Sequence, residues 1–254
     1  MQLATTLAGS PGSHPPLLIA HGLFGSARNW GAIARRLARD RLVVAVDMRN
    51  HGDSPRSPEH SYAAMAGDLA ETIASLGGRA DVLGHSMGGK AAMMLALTEP
   101  ARVRRLVVAD MAPVRYGHSQ LPYVEAMQAL DLAGVTRRSE ADAALAAAVP
   151  QPSLRAFFLQ SLAFDDGRPR WKLALDTLAA EMPAIMDFPV PSARFDGPAL
   201  FVTGELSDYV RPEHWDLIRT LFPAAEQQVI EGAGHWLHAD KPGPFIAAVE
   251  AFLD

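Results

Sequence analysis

The sequence contains no cysteine, no run of five like charges and no apolar stretch of transmembrane length. Without cysteine, disulfides, thiolate nucleophiles and zinc–thiolate sites are excluded. Because a membrane-spanning helix needs about 18 or more consecutive apolar residues, no such helix is expected. The N-terminus also lacks the basic start and apolar stretch of a secretory signal. Together these absences predict a cytoplasmic protein.

An excess of positive charge is absent as well, since the formal net charge is -5 over 254 residues. Proteins that bind nucleic acid usually present a basic face, so no nucleic-acid partner is expected. Hydrophobic residues make up 49% of the chain, which suffices for one sizeable core. A monomer and a homodimer both agree with this composition.

Short apolar runs alternate with helical patterns along most of the chain. Apolar runs rich in Val, Leu and Ile predict strands that are buried on both faces, and they lie at 16–20, 41–47, 79–85, 105–110, 198–205 and 227–234. Helical patterns occupy 29–40, 62–78, 90–100, 211–223 and 241–254. This alternation predicts an α/β fold with a mostly parallel central sheet flanked by helices.

The alternation stops between residues 112 and 196. That segment has a helical pattern without a convincing buried strand, and FDDGRPRW (164–171) reads as a turn. We therefore expect a core formed by residues 1–111 and 197–254, with 112–196 inserted as a helical cap.

A serine lies at one junction between a strand and a helix, in RADVLGHSMGGKAAMML (79–95). The pattern Gly84-x-Ser86-x-Gly88 in this context predicts a nucleophile elbow, a strained turn that projects the serine hydroxyl out of the sheet. Side chains at the two glycines would collide with neighbouring backbone. The following helix directs its free N–H groups at developing negative charge. The backbone N–H of Met87 is therefore expected in an oxyanion hole.

A second glycine-rich turn, HGLFGSARNW (21–30), follows the first strong strand. In this position it is expected to supply the other oxyanion donor. The backbone N–H of Leu23 is the first candidate and that of Phe24 is the second. Such donors stabilise the charge that develops on a carbonyl oxygen in the transition state.

A serine nucleophile needs a base, and His235 is the candidate among nine histidines. It follows the last predicted strand, which places it at the same rim of the sheet as Ser86. The order serine, acid, histidine is the one expected for this fold. We expect His85 to point away from Ser86, and His238 to be a structural hydrogen-bonding residue.

Two aspartates compete for the role of the acid. Asp110 ends the strand predicted beside the nucleophile strand, where a buried carboxylate needs a partner. Asp208 follows a later strand, but the position that usually carries the acid there is Ser207. Asp110 is the preferred acid, with Asp208 as the alternative. The acid would hold the imidazole tautomer and stabilise the imidazolium.

Five motifs in this order resemble the YbfF-type esterases of bacteria and the related abhydrolase domain-containing 11 proteins, within the α/β-hydrolase superfamily. They are HGLFGSARNW (21–30), VDMRNHGDSP (46–55), GHSMGGKAAM (84–93), VVADMAPV (107–114) and GAGHWLHADKP (232–242). The resemblance implies a cytosolic serine esterase for short acyl esters or acyl-CoA thioesters. It also implies that Asp110 is the acid and that Ser207 assists by hydrogen bonding. The expected mechanism needs no cofactor and no metal.

Two other functions stay open at this point. A carbon–carbon bond hydrolase or lyase of the menaquinone-pathway type would need a basic pocket, and arginines 115, 155 and 168 leave that possibility open. A non-catalytic ligand-binding protein could share the fold, because fold alone does not secure activity. The presence of both Ser86 and His235 favours an enzyme.

The sequence also indicates roles for one loop and for a set of aromatic residues. The loop VDMRNHGDSP is expected to be structural, with Asp47, Arg49 and His51 paired internally. Aromatic residues of the cap are candidates for an acyl pocket or for simple packing, namely Tyr116, Tyr123, Phe157, Phe158 and Trp171.

Overall fold

The computed structural model describes residues 1–254 and contains nine strands and eleven α-helices. The strands are β1 Thr5–Ala8, β2 Leu17–Ala20, β3 Val43–Val46, β4 Ala80–His85, β5 Val103–Ala109, β6 Leu162–Asp165, β7 Arg168–Trp171, β8 Ala199–Gly204 and β9 Ala225–Ile230. The helices are α1 Gly31–Leu37, α2 Tyr62–Ser75, α3 Met87–Thr98, α4 Leu121–Ala129, α5 Arg138–Leu145, α6 Pro152–Phe158, α7 Leu175–Ala180, α8 Met182–Met186, α9 Trp215–Leu221, α10 Leu237–Asp240 and α11 Pro242–Leu253. Four short 3-10 helices lie at Ala27–Trp30, Pro100–Arg102, Leu159–Ser161 and Pro212–His214.

Seven strands form one sheet in the order β1-β3-β2-β4-β5-β8-β9. Every neighbouring pair is parallel except β1 with β3. The mostly parallel sheet predicted from the apolar runs is therefore confirmed. The additional strand β1 has no buried apolar run, because three of its four residues are exposed at the sheet edge.

Helices cover both faces of this sheet. Alternate residues of β2 point to opposite sides, so that Leu18 belongs to the larger hydrophobic cluster and Leu17 to the smaller one. Helices α2, α3 and α9 pack in the larger cluster, and α1 and α11 pack in the smaller one. Burial on both faces explains why the central strands are apolar throughout.

The segment 112–196, which we call the cap segment, contains helices α4 to α8 and one antiparallel hairpin. The turn expected at 164–171 is present at Asp166–Gly167, but it joins two paired strands, β6 and β7, that the sequence analysis did not predict. Asp166 and Gly167 form the tip of the hairpin, both with positive φ. Most of its residues are at least partly exposed, so the sequence shows no apolar strand signal. The division into core and cap remains a proposal.

Strand order brings four loop regions to one edge of the sheet. Strand β4 lies centrally, between β2 and β5, and β8 follows β5. Since the carboxyl ends of parallel strands share an edge, the segments after β2, β4, β5 and β8 converge there. The register places Gly84 beside Ala20 and His85 beside Ala109. The residues that follow these strands are therefore neighbours.

The turn from β4 to α3 requires its two glycines because backbone passes close to each. A Cβ on Gly84 would lie 2.2 Å from the carbonyl oxygen of Gly88. A Cβ on Gly88 would lie 2.3 Å from the carbonyl oxygen of Ala20. Neither contact can be relieved by moving a flexible side chain, so the position of α3 over the sheet depends on both residues.

Gly88→Ala is expected to lower the free energy of unfolding by about 1–3 kcal/mol or more, because the new methyl overlaps backbone of β2. Gly67→Ala is the matched control, since Gly67 lies in α2 with no atom near its added Cβ. That control should raise stability by about 0.5–1 kcal/mol. Urea denaturation measures both changes. A Gly88→Ala variant as stable as the wild type would contradict the close approach of residue 88 to the backbone of β2.

Candidate active site

Ser86 lies between β4 and α3 in a strained conformation. Its φ of 53° and ψ of -120° are disfavoured for any residue with a side chain. Such strain costs on the order of 1–3 kcal/mol and persists only when the surroundings impose it. The Ser86 N–H donates to the Ala109 carbonyl at 3.2 Å, which ties the turn to β5. The strained turn predicted from Gly84-x-Ser86-x-Gly88 is present.

His235 connects Ser86 to Asp110. Its Nε2 lies 3.0 Å from Ser86 Oγ, and its Nδ1 lies 2.7 Å from Asp110 Oδ2. A carboxylate only accepts, so Nδ1 carries the proton and donates to Asp110. Nε2 is then free to accept the proton of the Ser86 hydroxyl. The structure therefore brings together the three residues that the sequence analysis preferred.

Asp110 is fully buried at the end of β5 and is held on several sides. Its Oδ1 accepts the Gly204 N–H at 3.1 Å, and its Oδ2 accepts the Ser207 hydroxyl as well as His235. These donors compensate for burying the carboxylate. Ser207 thus contacts Asp110 as the family resemblance implied. The alternative acid, Asp208, is exposed and makes no hydrogen bond to His235.

Of the two candidates for the second oxyanion donor, both in the turn after β2, only one has an N–H free of a protein partner. The N–H of Leu23 has no protein partner. The N–H of Phe24 donates to His51 Nε2 at 3.2 Å, so the second candidate is wrong because this group is already used. Met87 begins α3, and the first N–H groups of a helix have no partner within it. The N–H groups of Leu23 and Met87 are therefore available beside Ser86.

Two buried histidines hold this turn. His21 Nδ1 donates to the Gly22 carbonyl at 2.8 Å, and its Nε2 accepts the Met48 N–H at 2.9 Å. His51 Nδ1 donates to the Arg49 carbonyl at 2.9 Å, which leaves its Nε2 as an acceptor. Burial lowers the pKa of His21 to about 4 and that of His51 to about 3. Both imidazoles are therefore neutral near pH 7, as their roles as acceptors require.

The internal pairing expected for VDMRNHGDSP holds for the side chains of Asp47 and His51, since His51 Nδ1 donates to the Arg49 carbonyl. Asp47 Oδ2 accepts the Asp53 N–H at 2.8 Å within the loop, while its Oδ1 accepts the Ala27 N–H at 2.7 Å. Arg49 instead forms an ion pair with Asp68 of α2 at 2.6 Å, and His51 bonds to Phe24. The internal pairing expected for the Arg49 side chain is wrong, because the loop packs against α2 and brings that side chain to Asp68.

A cavity of about 230 Å³ opens in front of Ser86. Four aromatic residues of the cap segment line it, namely Tyr116, Tyr123, Phe157 and Phe158. Trp171 does not, because it is buried within the cap segment and its indole N–H donates to the Met127 carbonyl at 3.1 Å. Helix α8 contributes Ile185 and Met186. The cavity is therefore largely apolar.

The arginines considered for a basic pocket lie elsewhere. Arg115 and Arg168 are exposed outside the cavity, and Arg155 pairs with Asp142 at 2.9 Å. Lys90 is the one lysine or arginine that lines the cavity. The sequence analysis missed it, although its place one turn after Ser86 on α3 was a signal. It is 1% exposed, and burial lowers its pKa to about 7.

Lys90 also connects α3 to the end of the cap segment. Its Nζ donates to the carbonyls of Met186 and Asp187 at 3.1 and 2.8 Å. The ammonium lies 4.7 Å from the ring centre of Tyr116, within cation–π range. These contacts occupy the amine, so Lys90 is a support for the cavity wall.

Aromatic rings also fix the position of His235. Tyr209 stacks on its imidazole at 3.8 Å, a contact that the sequence analysis missed because nothing around TGELSDYV signalled it. His85 Nε2 donates to the His235 carbonyl at 2.9 Å. The hydrogen bond expected for His238 is wrong, because its buried Nδ1 has no partner and its ring stacks on Trp30 at 4.3 Å.

No group of three or more His, Asp or Glu side chains is arranged to hold a metal ion. None of the helices combines the length and the apolar character needed to cross a bilayer.

A parallel sheet with a serine on a strained turn, and a histidine brought to it from the end of the chain, defines the α/β hydrolases. The alpha/beta hydrolase fold family matches residues 15–242. The chain belongs to this family, as its motifs indicated.

Several related proteins match nearly the whole chain. The sn-1-specific diacylglycerol lipase ABHD11 of Mus musculus is 42% identical over 100% of this chain and 85% of its own length. Esterase YbfF of Escherichia coli is 38% identical over 95% of this chain and 94% of its own. Among solved structures, a marine microorganism esterase is 37% identical, with a TM-score of 0.94 and 99% of both chains covered. The resemblance stated from the five motifs is confirmed.

Stability is expected to fall as the pH drops from about 6.5 towards 4. Burial lowers the pKa of His21 and His238 to about 4 and that of His51 and His60 to about 3. In this window the unfolded chain binds protons that the folded chain does not. Each histidine therefore removes up to about 1.4 kcal/mol per pH unit. The measurement is urea denaturation between about pH 7 and pH 5.

A His51→Gln variant is the control for this pH dependence, because it removes one titrating group. Its free energy of unfolding should fall less steeply with acidification than that of the wild type. A stability that stays constant from about pH 7 to pH 5 would show that these histidines are not buried as neutral groups.

Proposed function

We propose that this chain is a serine carboxylic ester hydrolase in which Ser86 is the nucleophile, His235 the general base and Asp110 its partner. The observation that carries the proposal is the continuous chain of hydrogen bonds from Asp110 through His235 to Ser86. Serine is a weak nucleophile unless an adjacent base takes its proton. The relatives named esterase and lipase support the same chemistry.

In the first step, Ser86 Oγ attacks the ester carbonyl carbon while its proton passes to His235 Nε2. Asp110 stabilises the imidazolium that results and holds the productive tautomer. His235 then returns the proton to the leaving alcohol as the carbon–oxygen bond breaks. In the second step His235 takes a proton from water, and the hydroxide that forms attacks the carbonyl carbon of the acyl-enzyme. The bond between that carbon and Ser86 Oγ then breaks, and His235 returns the proton to Ser86 Oγ.

The N–H groups of Leu23 and Met87 are the proposed donors to the oxyanion. The positive end of α3 adds to their effect, because Met87 is its first residue. Two fixed backbone donors in a site partly closed to water stabilise the tetrahedral intermediate more than the ground state. The N–H of Phe24 has no part in this step.

The size and character of the cavity favour a short acyl chain. A volume of about 230 Å³ lies below the roughly 300–1,000 Å³ of pockets for drug-sized ligands. Its aromatic lining suits a hydrocarbon chain better than a charged group. No arginine lines it to hold the phosphates of coenzyme A, so we propose esters rather than acyl-CoA thioesters as the preferred substrates.

The same observation weighs against the carbon–carbon bond hydrolase. A carboxylated substrate would need cationic groups at the site, but the only lysine that lines it is held by two backbone carbonyls. A non-catalytic binding protein would have no need for a strained serine in contact with an imidazole. The ester hydrolase therefore accounts for more of the site.

A fluorophosphonate probe is expected to label the wild type and to leave Ser86→Ala unlabelled.

The turnover of p-nitrophenyl acetate and butyrate should exceed that of the octanoate, because the cavity is small. Acyl-CoAs and a diketone assayed in parallel should be poorer substrates. Folded wild-type protein that is neither labelled nor active would favour the binding protein, and preferred cleavage of the diketone would favour the rival enzyme.

Asp110→Asn is expected to lower kcat by about 10⁴-fold with little change in fold, because the amide would favour the wrong tautomer of His235. Asp208→Asn is the matched control, and its kcat should equal that of the wild type because Asp208 is exposed and makes no hydrogen bond to His235. Steady-state kinetics on one short ester tests both. Loss of activity in Asp208→Asn alone would contradict the assignment.

A further inference from the structure

One wall of the cavity is formed by the end of α8. Ile185 and Met186 of this helix are buried, and both line the cavity. The last carbonyls of a helix have no partner within it, so the end of α8 needs donors from other elements. The position of this wall therefore depends on the residues that supply those donors.

Two side chains from outside the cap segment supply them. The Tyr62 hydroxyl of α2 donates to the Ile185 carbonyl at 2.6 Å. Lys90 Nζ of α3 donates to the carbonyls of Met186 and Asp187 at 3.1 and 2.8 Å. No other protein group donates to the Asp187 carbonyl. Lys90 thus holds the residue at which the chain leaves α8.

Lys90 is also a fixed part of the wall. Its backbone N–H donates to the Ser86 carbonyl at 3.0 Å in the first turn of α3. Its amine lies 4.7 and 5.5 Å from the ring centres of Tyr116 and Tyr62, within cation–π range. A substrate chain that displaced this amine would leave a polar group unpaired in an apolar cavity, which is costly. This side of the cavity therefore yields little to a longer chain.

The acyl chain and the alcohol of an ester lie on different sides of the site. His235 returns the proton to the leaving alcohol, so the alcohol must lie next to that imidazole. Lys90 and Met186 neither bond to the imidazole nor stack on it. They therefore border a part of the cavity that is left to the acyl chain.

We infer that Lys90 is a specificity-determining residue, which limits the length of the acyl chain by holding the end of α8 against the cavity. This inference rests on the proposed function, since an acyl chain occupies the cavity only if Ser86 attacks an ester. Lys90 exchanges no proton with the substrate or with His235. Its effect is therefore on the choice among esters and not on the chemical steps.

Lys90→Met tests this role, because methionine is of nearly the same size but donates to neither carbonyl. The kcat/KM for p-nitrophenyl octanoate relative to that for the butyrate should rise at least about tenfold. Each further methylene buried against the loosened wall is expected to raise kcat/KM about fourfold. The ratio for two esters on one preparation does not depend on the fraction of folded enzyme. An unchanged ratio, including an equal loss on both esters, overturns the inference.

Lys172→Met is the matched control. Lys172 pairs with Asp53 at 2.7 Å, so it also links the cap segment to the rest of the chain, but it does not line the cavity. The octanoate-to-butyrate ratio of this variant should equal that of the wild type. An equal rise in the control would show that any loosening of the cap segment admits longer chains, and it would overturn the role of Lys90.

A measurement on the wild type covers the case in which Lys90→Met does not fold. The lysines of the chain are Lys90, Lys172 and Lys241. Carbon-13 at their Cε atoms therefore gives three NMR signals, and Lys172→Met and Lys241→Met identify that of Lys90 by elimination. Alkyl trifluoromethyl ketones place an acyl-like chain on Ser86. The Lys90 signal should shift strongly from the chain length at which their affinity stops rising, and a signal that no chain length shifts overturns the inference.

Ser86→Ala separates the two proposals. Turnover that does not depend on Ser86 would overturn the proposed function and this inference with it. Ser86-dependent turnover with an octanoate-to-butyrate ratio that Lys90→Met leaves unchanged would overturn the inference alone.

Discussion

The site depends on the position of one imidazole, that of His235. Its two nitrogens join a buried carboxylate to a serine hydroxyl over 2.7 and 3.0 Å. The ring reaches this place from the far end of the chain, so several elements must hold it there. Tyr209 stacks on one face, His85 binds its backbone carbonyl, and Asp110 fixes its tautomer. The three contacts come from the carboxyl ends of three different strands, β8, β4 and β5, or the segments that follow them.

Backbone strain is concentrated around that imidazole. Ser86, Asp110 and Phe24 all have positive φ values although none is glycine. Strained residues of this kind persist only where the surroundings over-determine them, and they cluster at functional sites. Here the surroundings are the parallel strands β2, β4 and β5, whose register fixes the three turns relative to one another. The stability of the sheet thus supports conformations that the turns would not adopt alone.

The sequence predicted the parts of the fold and site that have local signals. The apolar strands, the turn around Ser86 and the place of His235 follow from periodicity and strand order, and Asp110 was preferred because a buried carboxylate needs partners. Other features depend on tertiary contacts that no local pattern carries. The exposed edge strand β1 and the hairpin β6–β7 lack apolar runs, while Tyr209 reaches the site through packing. The bond between His51 and Phe24 links two loops 27 residues apart.

Proton NMR of the wild type and of Asp110→Asn tests the central claim most directly. If His235 donates from Nδ1 to Asp110, its proton should give a resonance far downfield, as in other short hydrogen bonds to carboxylates. That resonance should disappear or move strongly upfield in Asp110→Asn and persist in Asp208→Asn. A wild-type spectrum without it, or a resonance unchanged by Asp110→Asn, would contradict the arrangement on which the proposed catalysis depends.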